Sequence, residues 1–288
     1  MKLLSQSASS SSPSRNVRPQ LEQLEDRSVP SVLAADFSGS GVFRFESATG
    51  QFQRLTPFDA DLVATDARGD VVADFHNNGL WRFEDATGWQ LLTAFNADAV
   101  AIGGNGNVAA DFPKLGVFRF EGARGWQELA GVNASLASIN AAGDVAASFQ
   151  NGGVFRFRDA TGWVNLTTFA AQSLQINDRD DVVASFPNGG VWLNVNGFVN
   201  NLGGWVNLTT VSARTVGLDN NDDVVGDFQN FGVFRFTNKA GIGWQQLTNQ
   251  EARESQAQTG NDVEEQGDVA ISSTGDVAVD IDGQGISA

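Results

Sequence analysis

A short apolar phrase ending in an aromatic or aliphatic residue returns along this chain at nearly constant spacing. Its copies are Val71–Phe75, Val108–Phe112, Val145–Phe149, Val182–Phe186, Val224–Phe228 and Val277–Ile281, with an earlier copy at Ser31–Phe37. Successive end residues lie 38, 37, 37, 37, 42 and 53 positions apart. The fifth interval is lengthened before Trp205, where Gly197–Leu202 reads as a slipped copy of Gly204–Thr209. The sixth holds the acidic stretch Asn249–Gln266. Self-similarity at a period of 20–50 residues means that one supersecondary unit is being stacked or arrayed.

Each repeat carries four short apolar segments. In the second repeat strand A is Val71–Phe75, strand B is Leu80–Phe83, strand C is Trp89–Thr93 and strand D is Ala99–Ile102. All are too short for helices and are rich in Val, Phe and Trp, as strands are. The turns define the unit more sharply. Between A and B the intervening residues always end in glycine: Gly41, Gly79, Gly116, Gly153, Gly190 and Gly232. A glycine there supplies the positive φ of a tight hairpin with a bulge. Between D and A the turns open with an Asx residue in Asp66–Gly69, Asn140–Gly143, Asn177–Asp180 and Asp219–Asp222, a side chain that caps its own turn. Between B and C stand Asp85-Ala-Thr-Gly88 and Asp159-Ala-Thr-Gly162. Only the C-to-D link, such as Ala94–Asp98, lacks a hairpin signal.

Three hairpins and one looser link make a four-stranded antiparallel meander plus a crossover, so the fold class expected is an all-β β-propeller of about six four-stranded blades. Strand D is then innermost and strand C outermost. Residues 31–56 supply A, B and C of a first blade, and the last D copy, Gly267–Ile271, is expected to fill its inner position and close the ring. One A-type strand, Leu33–Phe37 or Val277–Ile281, is left over. Residues 1–30 form a separate leader with a serine run, Ser9–Ser12, and 31–288 the propeller domain.

Composition narrows the chemistry. With no cysteine, one histidine and a formal net charge of -16, the chain offers no thiolate metal site, no histidine-rich centre and no basic footprint for nucleic acid. No apolar run reaches the roughly 18 residues of a membrane-spanning helix. No phosphate loop, dinucleotide fingerprint or serine elbow is present. The acidic turns Asn177–Asp181 and Asp219–Asp223 lack the glycine and the terminal Glu of a calcium loop, so no metal and no cofactor are expected.

Two recurring side chains invite either a structural or a ligand reading. Strand B carries Arg44, Arg82, Arg119, Arg156 and Arg235, with Asn194 in the irregular repeat. The penultimate residue of strand A is Asp36, Asp74, Asp111, Ser148, Ser185 or Asp227. A three-residue loop is read as placing Asp74 opposite Arg82 and Phe75 opposite Trp81, a repeated cross-strand ion pair. The series Trp89, Trp126, Trp163, Trp205 and Trp244 opens each C strand and is read as packing between blades. Trp81 and Trp192 replace a phenylalanine and are read as core.

The stretch Arg18–Ser31, with Leu21-Glu-Gln-Leu-Glu-Asp-Arg27 at its centre, resembles the "LExLEDR…PS" segment that opens many large extracellular proteins of planctomycete bacteria. That resemblance implies an extracellular or cell-surface address. Ile139–Val145, Gly153–Phe157 and Trp163–Leu166 resemble the extracellular HAF-type repeats of bacteria, over roughly residues 31–248. The histidine of that family is missing here, and the resemblance implies export and fold rather than chemistry.

The function expected is a secreted, non-enzymatic binding or scaffold module, a monomer whose partner is a polysaccharide or a surface protein. A ligand site belongs on the face carrying the A–B loops and inter-blade links, where His76, Asn78, Gln150, Asn151, Asn188, Gln229 and Asn230 gather amides suited to a hydroxyl-rich ligand. The alternatives are a multivalent carbohydrate-binding propeller and an enzyme with an axial site. Strict repetition disfavours the enzyme, since catalysis needs asymmetry among blades.

Overall fold

The computed structural model describes residues 32–46, 49–196, 204–238, 243–249, 269–271, 277–281 and 285–287. The leader, the slipped copy at 197–202 and the acidic stretch after Asn249 lie outside the described residues. The described chain is all β apart from one short 3-10 turn at Gly122–Arg124. Five four-stranded antiparallel sheets span residues 62–93, 99–130, 136–167, 173–209 and 215–248, each ordered D-A-B-C. They are the blades of a β-propeller. D strands of successive blades contact one another, which places D at the inside of the ring.

The chain ends differ from the expected closure. Val32–Phe37, Gly41–Glu46 and Gln51–Arg54 form a three-stranded A-B-C sheet, while Val269–Ile271, Val277–Ile281 and Gly285–Ser287 form a separate D-A-B sheet. Val269–Ile271 pairs with Val277–Ile281 and not with the first sheet. Neither A-type strand is surplus, because each pairs within its own sheet: Val32–Phe37 at the edge of the first and Val277–Ile281 in the middle of the last. The physical reason is local: a D strand finds its A strand across a tight turn more readily than across the whole chain.

The A–B hairpin turns as expected, but its register differs by two residues. Phe75 pairs with Gly79, Asp74 with Leu80, Ala73 with Trp81 and Val72 with Arg82. The glycine is the first paired residue of strand B rather than the last residue of the loop. A shift of two preserves the faces, so the aromatics still share one side, but it separates the expected Asp–Arg pair. Gly116 shows why no other residue fits. Its φ is 96°, and a Cβ there would lie 2.1 Å from the carbonyl oxygen of Ala130 at the end of strand C.

The arginines of strand B instead fasten each blade to the next. Arg44 donates to the Gly69 carbonyl at 2.9 Å, Arg82 to Gly106 at 2.7 Å, Arg119 to Gly143 at 2.7 Å and Arg156 to Asp180 at 2.6 Å, always the D–A turn of the following blade. Arg119 also meets Asp159 of that blade's B–C turn at 2.7 Å and lies 5.6 Å over the Phe157 ring. A guanidinium suits this place, since it supplies several donors in one plane and stacks on an aromatic face. Asn194 stands where the fifth arginine would be. Across that seam Arg179 of the D–A turn reaches forward to Asp222 of the next blade.

The tryptophans fasten the same seams nearer the rim. Trp89, Trp126, Trp163, Trp205 and Trp244 donate Nε1–H to the carbonyls of Leu55, Leu92, Leu129, Leu166 and Leu208 in the preceding outer strand, at 2.8–3.2 Å. Their rings meet phenylalanines of their own blade edge-on, as Trp126 meets Phe112 at 5.2 Å. These half-buried rings are inter-blade packing, as expected. Trp81 packs against the buried cluster of Val42, Val71, Ala73 and Phe75, but Trp81 and Trp192 are only half-buried, with Nε1 bonded to the loop carbonyls of Asn78 and Gly189.

Arg119→Met strands the Asp159 carboxylate and the Gly143 carbonyl, and should cost about 3 kcal/mol of unfolding free energy in urea titration. Arg119→Lys should recover only part of that loss, because an ammonium cannot reach both turns in the guanidinium's geometry. Gly116→Ala should cost at least about 2 kcal/mol in the same measurement.

Candidate binding face

Antiparallel order puts the A–B loops and the C–D links on one face and the D–A and B–C turns on the other. The second face is committed to holding blades together. Asn140 Nδ2 donates to the Asn177 carbonyl at 3.1 Å and to Asp180 Oδ1 at 2.7 Å, and Asn177 Nδ2 donates to the Asp219 carbonyl at 3.0 Å. Asp66, Asn177 and Asp219 accept the amides of their own turns. The acidic turns are thus capped hairpins linked around the ring. Burial first, and the neighbouring Asp180 carboxyl second, push Asp144 up to about 6. Asp181 is pushed up to about 6, chiefly by burial.

The first face holds every residue expected for a ligand site. His76, Asn78, Gln150, Asn151, Asn188, Gln229 and Asn230 are all exposed on A–B loop tips. They do not converge into one pocket, because each loop belongs to a different blade. Several have local work. Asn188 and Asn230 have φ of 56° and 65°, a conformation asparagine tolerates better than most residues. Asn78 donates its amide to the His76 carbonyl at 3.1 Å, and His76 Nδ1 lies 3.0 Å from Asp61 Oδ2.

The C–D links carry a feature not anticipated. They read Thr56-Pro-Phe-Asp-Ala60, Thr93-Ala-Phe-Asn-Ala97, Ala130-Gly-Val-Asn-Ala134, Thr167-Thr-Phe-Ala-Ala171 and Thr209-Thr-Val-Ser-Ala213. The central residue is large, apolar and exposed in all five: Phe58 70%, Phe95 63%, Val132 65%, Phe169 71% and Val211 44%. Leu115 and Phe231 on the A–B loops add to this surface. Single exposed apolar residues are ordinary, but the same place on five successive links is a patterned apolar surface. Where the blade at 173–209 meets that at 215–248, Thr209, Val211, Phe228, Phe231, Phe234 and Trp244 line a cavity of about 210 Å3.

These residues are held outward by bonds on either side. The hydroxyls of Thr56, Thr93, Thr167 and Thr209 accept the amides of Phe58, Phe95, Phe169 and Val211 at 3.2–3.3 Å. The next residue grips strand B: Asp59 Oδ1, Asn96 Oδ1 and Ser212 Oγ accept the amides of Gly41, Gly79 and Gly190. The final alanine donates its amide to the penultimate residue of strand A. Asp36 accepts from Ala60 at 3.0 Å, Asp111 from Ala134 at 2.9 Å, and Ser148 and Ser185 from Ala171 and Ala213 at 2.9 Å; Asp74 accepts from Ala97. This is the true role of the recurring Asp or Ser. It is an acceptor for a link amide, not an arginine's partner.

Two of these carboxylate acceptors are electrostatically stressed. Asp74 and Asp111 are buried and pushed up to about 6 by desolvation, which outweighs the stabilising amide bond. Asp74 Oδ1 and Asp111 Oδ2 make no hydrogen bond.

No family model and no curated relative matches this chain. Solved structures do. The chain is similar to the β-propeller domain of Myceliophteria thermophila Cps50 (Swd1), with TM-score 0.61 and 8% identity over 89% of this chain and 94% of that one. It is similar to the RRP9 WD40 repeats, with TM-score 0.62 and 11% identity over 87% and 84% of the two chains. It is also similar to a streptogramin B lyase, with TM-score 0.58 and 11% identity over 88% and 91%. At such identities these likenesses show the fold alone.

The four carboxyls pushed up to about 6 have folded pKa values above the unfolded value of about 3.9, so the folded state binds the extra protons between those values. Their stabilising contribution is full below pH about 4 and is lost as pH rises through about 6. The melting temperature should therefore be higher at pH 5 than at pH 7.5. Asp111→Asn keeps an acceptor for the Ala134 amide without burying charge, as Ser148 and Ser185 do. It should raise the melting temperature at pH 7.5 and narrow its difference from pH 5. A lower melting temperature for Asp111→Asn at pH 7.5 would contradict this.

Proposed function

We propose that this protein is an exported, non-enzymatic binding module that recruits a protein partner through the face ringed by Phe58, Phe95, Val132, Phe169 and Val211. The observation that carries this reading is the repetition of one exposed apolar residue in five links whose backbones are fixed on both sides. Leaving most of a phenylalanine exposed forgoes much of the roughly 1.5–3 kcal/mol that full burial would give. A partner that covers the ring recovers that energy. The leader's resemblance to planctomycete export segments supports an extracellular address. The fold does not decide between binding and catalysis, since a lyase is among the similar structures. Repetition of the same side chains from blade to blade favours binding.

A second reading, a multivalent polysaccharide binder, is favoured by the exposed phenylalanines sharing their face with the amides of Asn78, Asn151 and Asn188. Aromatic faces stack on the C–H faces of sugars while amides bond hydroxyls.

One paired experiment separates these readings. The full chain and its Phe58→Ser, Phe95→Ser, Phe169→Ser triple variant are used in affinity capture from the secreted proteins of the source organism, and both are applied to a glycan array. The expected result is a specific protein retained by the natural chain and lost by the triple variant, with a blank array. Saturable glycan binding lost on Asn151→Ala or Asn188→Ala would replace the protein-partner reading with the polysaccharide one.

A further inference from the structure

The apolar ring is uniform, but its electrostatics are not. Inside each link, at the mouth of the innermost strand, stand Asp61, Asp98, Ser135, Gln172 and Arg214 in that order around the face. Each donates its backbone amide to the carbonyl of the penultimate A-strand residue, so all five occupy one structural position, with bonds of 2.8–2.9 Å. Around the described part of the ring this inner circle runs from acidic through neutral to basic.

The acidic sector is deeper than its two exposed members. Asp98 is exposed, and the Asp61 side chain is 49% exposed. Behind them lie Asp74 and Asp111, 1% and 0% exposed, each with one carboxylate oxygen lacking a hydrogen bond. Asp61 and Asp98 both act electrostatically on Asp74, and Asp98 acts on Asp111, so the four carboxyls form one connected arc. Beside it the His76 ring faces Asp61, with Nδ1 3.0 Å from Asp61 Oδ2. Asp59 adds another carboxylate, already bonded to the amides of Gly39 and Gly41. Among the described residues no three acidic or histidine side chains are grouped so as to hold a metal ion. The same sector carries Phe58 and Phe95, 70% and 63% exposed.

An apolar pair beside a negative arc is complementary to a chain segment that combines bulky apolar side chains with a positive one. We infer that the sector formed by Phe58, Phe95, Asp61 and Asp98 takes a linear peptide segment of a partner protein in which a lysine or arginine stands next to large apolar residues. The apolar residues cover the phenylalanine rings. The cation lies over Asp61 and Asp98 and supplies the opposite charge that the buried Asp74 and Asp111 lack. Arg214, across the face, repels the same cation and so confines the segment to one sector. This inference rests on the binding-face reading and names the partner's chemistry within it.

The test is selection of a displayed library of random dodecapeptides on the full chain, followed by affinity measurement of the enriched peptides. The expected result is a consensus with one Lys or Arg flanked by Leu, Ile, Met, Phe or Trp. The dissociation constant of such a peptide should rise at least about tenfold in Asp61→Asn, Asp98→Asn and also in Phe58→Ser, Phe95→Ser. All four positions are exposed, so both double variants should melt near the natural chain. Enriched peptides that lack a basic position, and that bind Asp61→Asn, Asp98→Asn unchanged, would overturn this inference while leaving the apolar face in place. Peptides indifferent to Phe58→Ser, Phe95→Ser would overturn the face reading with it. Absence of any enriched peptide would overturn the inference.

Discussion

The architecture of this face depends on one hydrogen bond made again at each link. An Asp or Ser at the end of strand A, half-buried at Asp36 and buried at the other four, accepts the amide of the alanine that ends the link into the next blade's D strand. Without it that amide would be buried and unpaired, at a cost of about 1–3 kcal/mol each time. With it the link has one path, and the exposed apolar residue two positions earlier is fixed on the rim. Serine does this at no electrostatic cost. Aspartate does it while burying a charge, and that desolvation pushes Asp74 and Asp111 up to about 6.

The blades are joined by different chemistry at different places. Near the D–A turns the arginines of strand B reach a carbonyl of the following blade; nearer the outer strands the tryptophans reach a carbonyl of the preceding one. These arginine and tryptophan bonds have backbone acceptors, and carboxylates such as Asp159 and Asp222 add side-chain acceptors across the seams. Variation is tolerated where another residue spans the seam, as Arg179 does beside Asn194. The acids of the D–A turns are consumed in this joining, which leaves the opposite face to do the recognising.

Much of this was legible in the sequence because it is local. The strands, the Asx-capped turns and the glycine opening strand B are set within a few residues, and their periodicity points to a propeller. Three things were not. The register was misread by two because Gly79 resembles a loop residue, although its positive φ belongs to a paired position. The partners of Arg119 lie 24 and 40 residues away in another blade, where a single repeat gives no hint of them. The exposed phenylalanines were passed over because Thr-x-Phe-x-Ala has no hairpin signal and phenylalanine is ordinarily read as core. The motif was nonetheless visible, since the central residue is Phe or Val and the last is Ala in all five links. The asparagines of the A–B loops were found on the expected face, though at Asn188 and Asn230 the turn itself accounts for the residue.

The central claim is that the links are fixed structure rather than open loops, so that the apolar ring is formed before any partner arrives. Residue-resolved amide hydrogen exchange tests it most directly. The amides of Ala97, Ala134, Ala171 and Ala213 should exchange as slowly as those of the A strands at Val108–Phe112 and Val145–Phe149. Exchange of these four alanines at the rate of an unstructured peptide, while the A strands stay protected, would contradict the account.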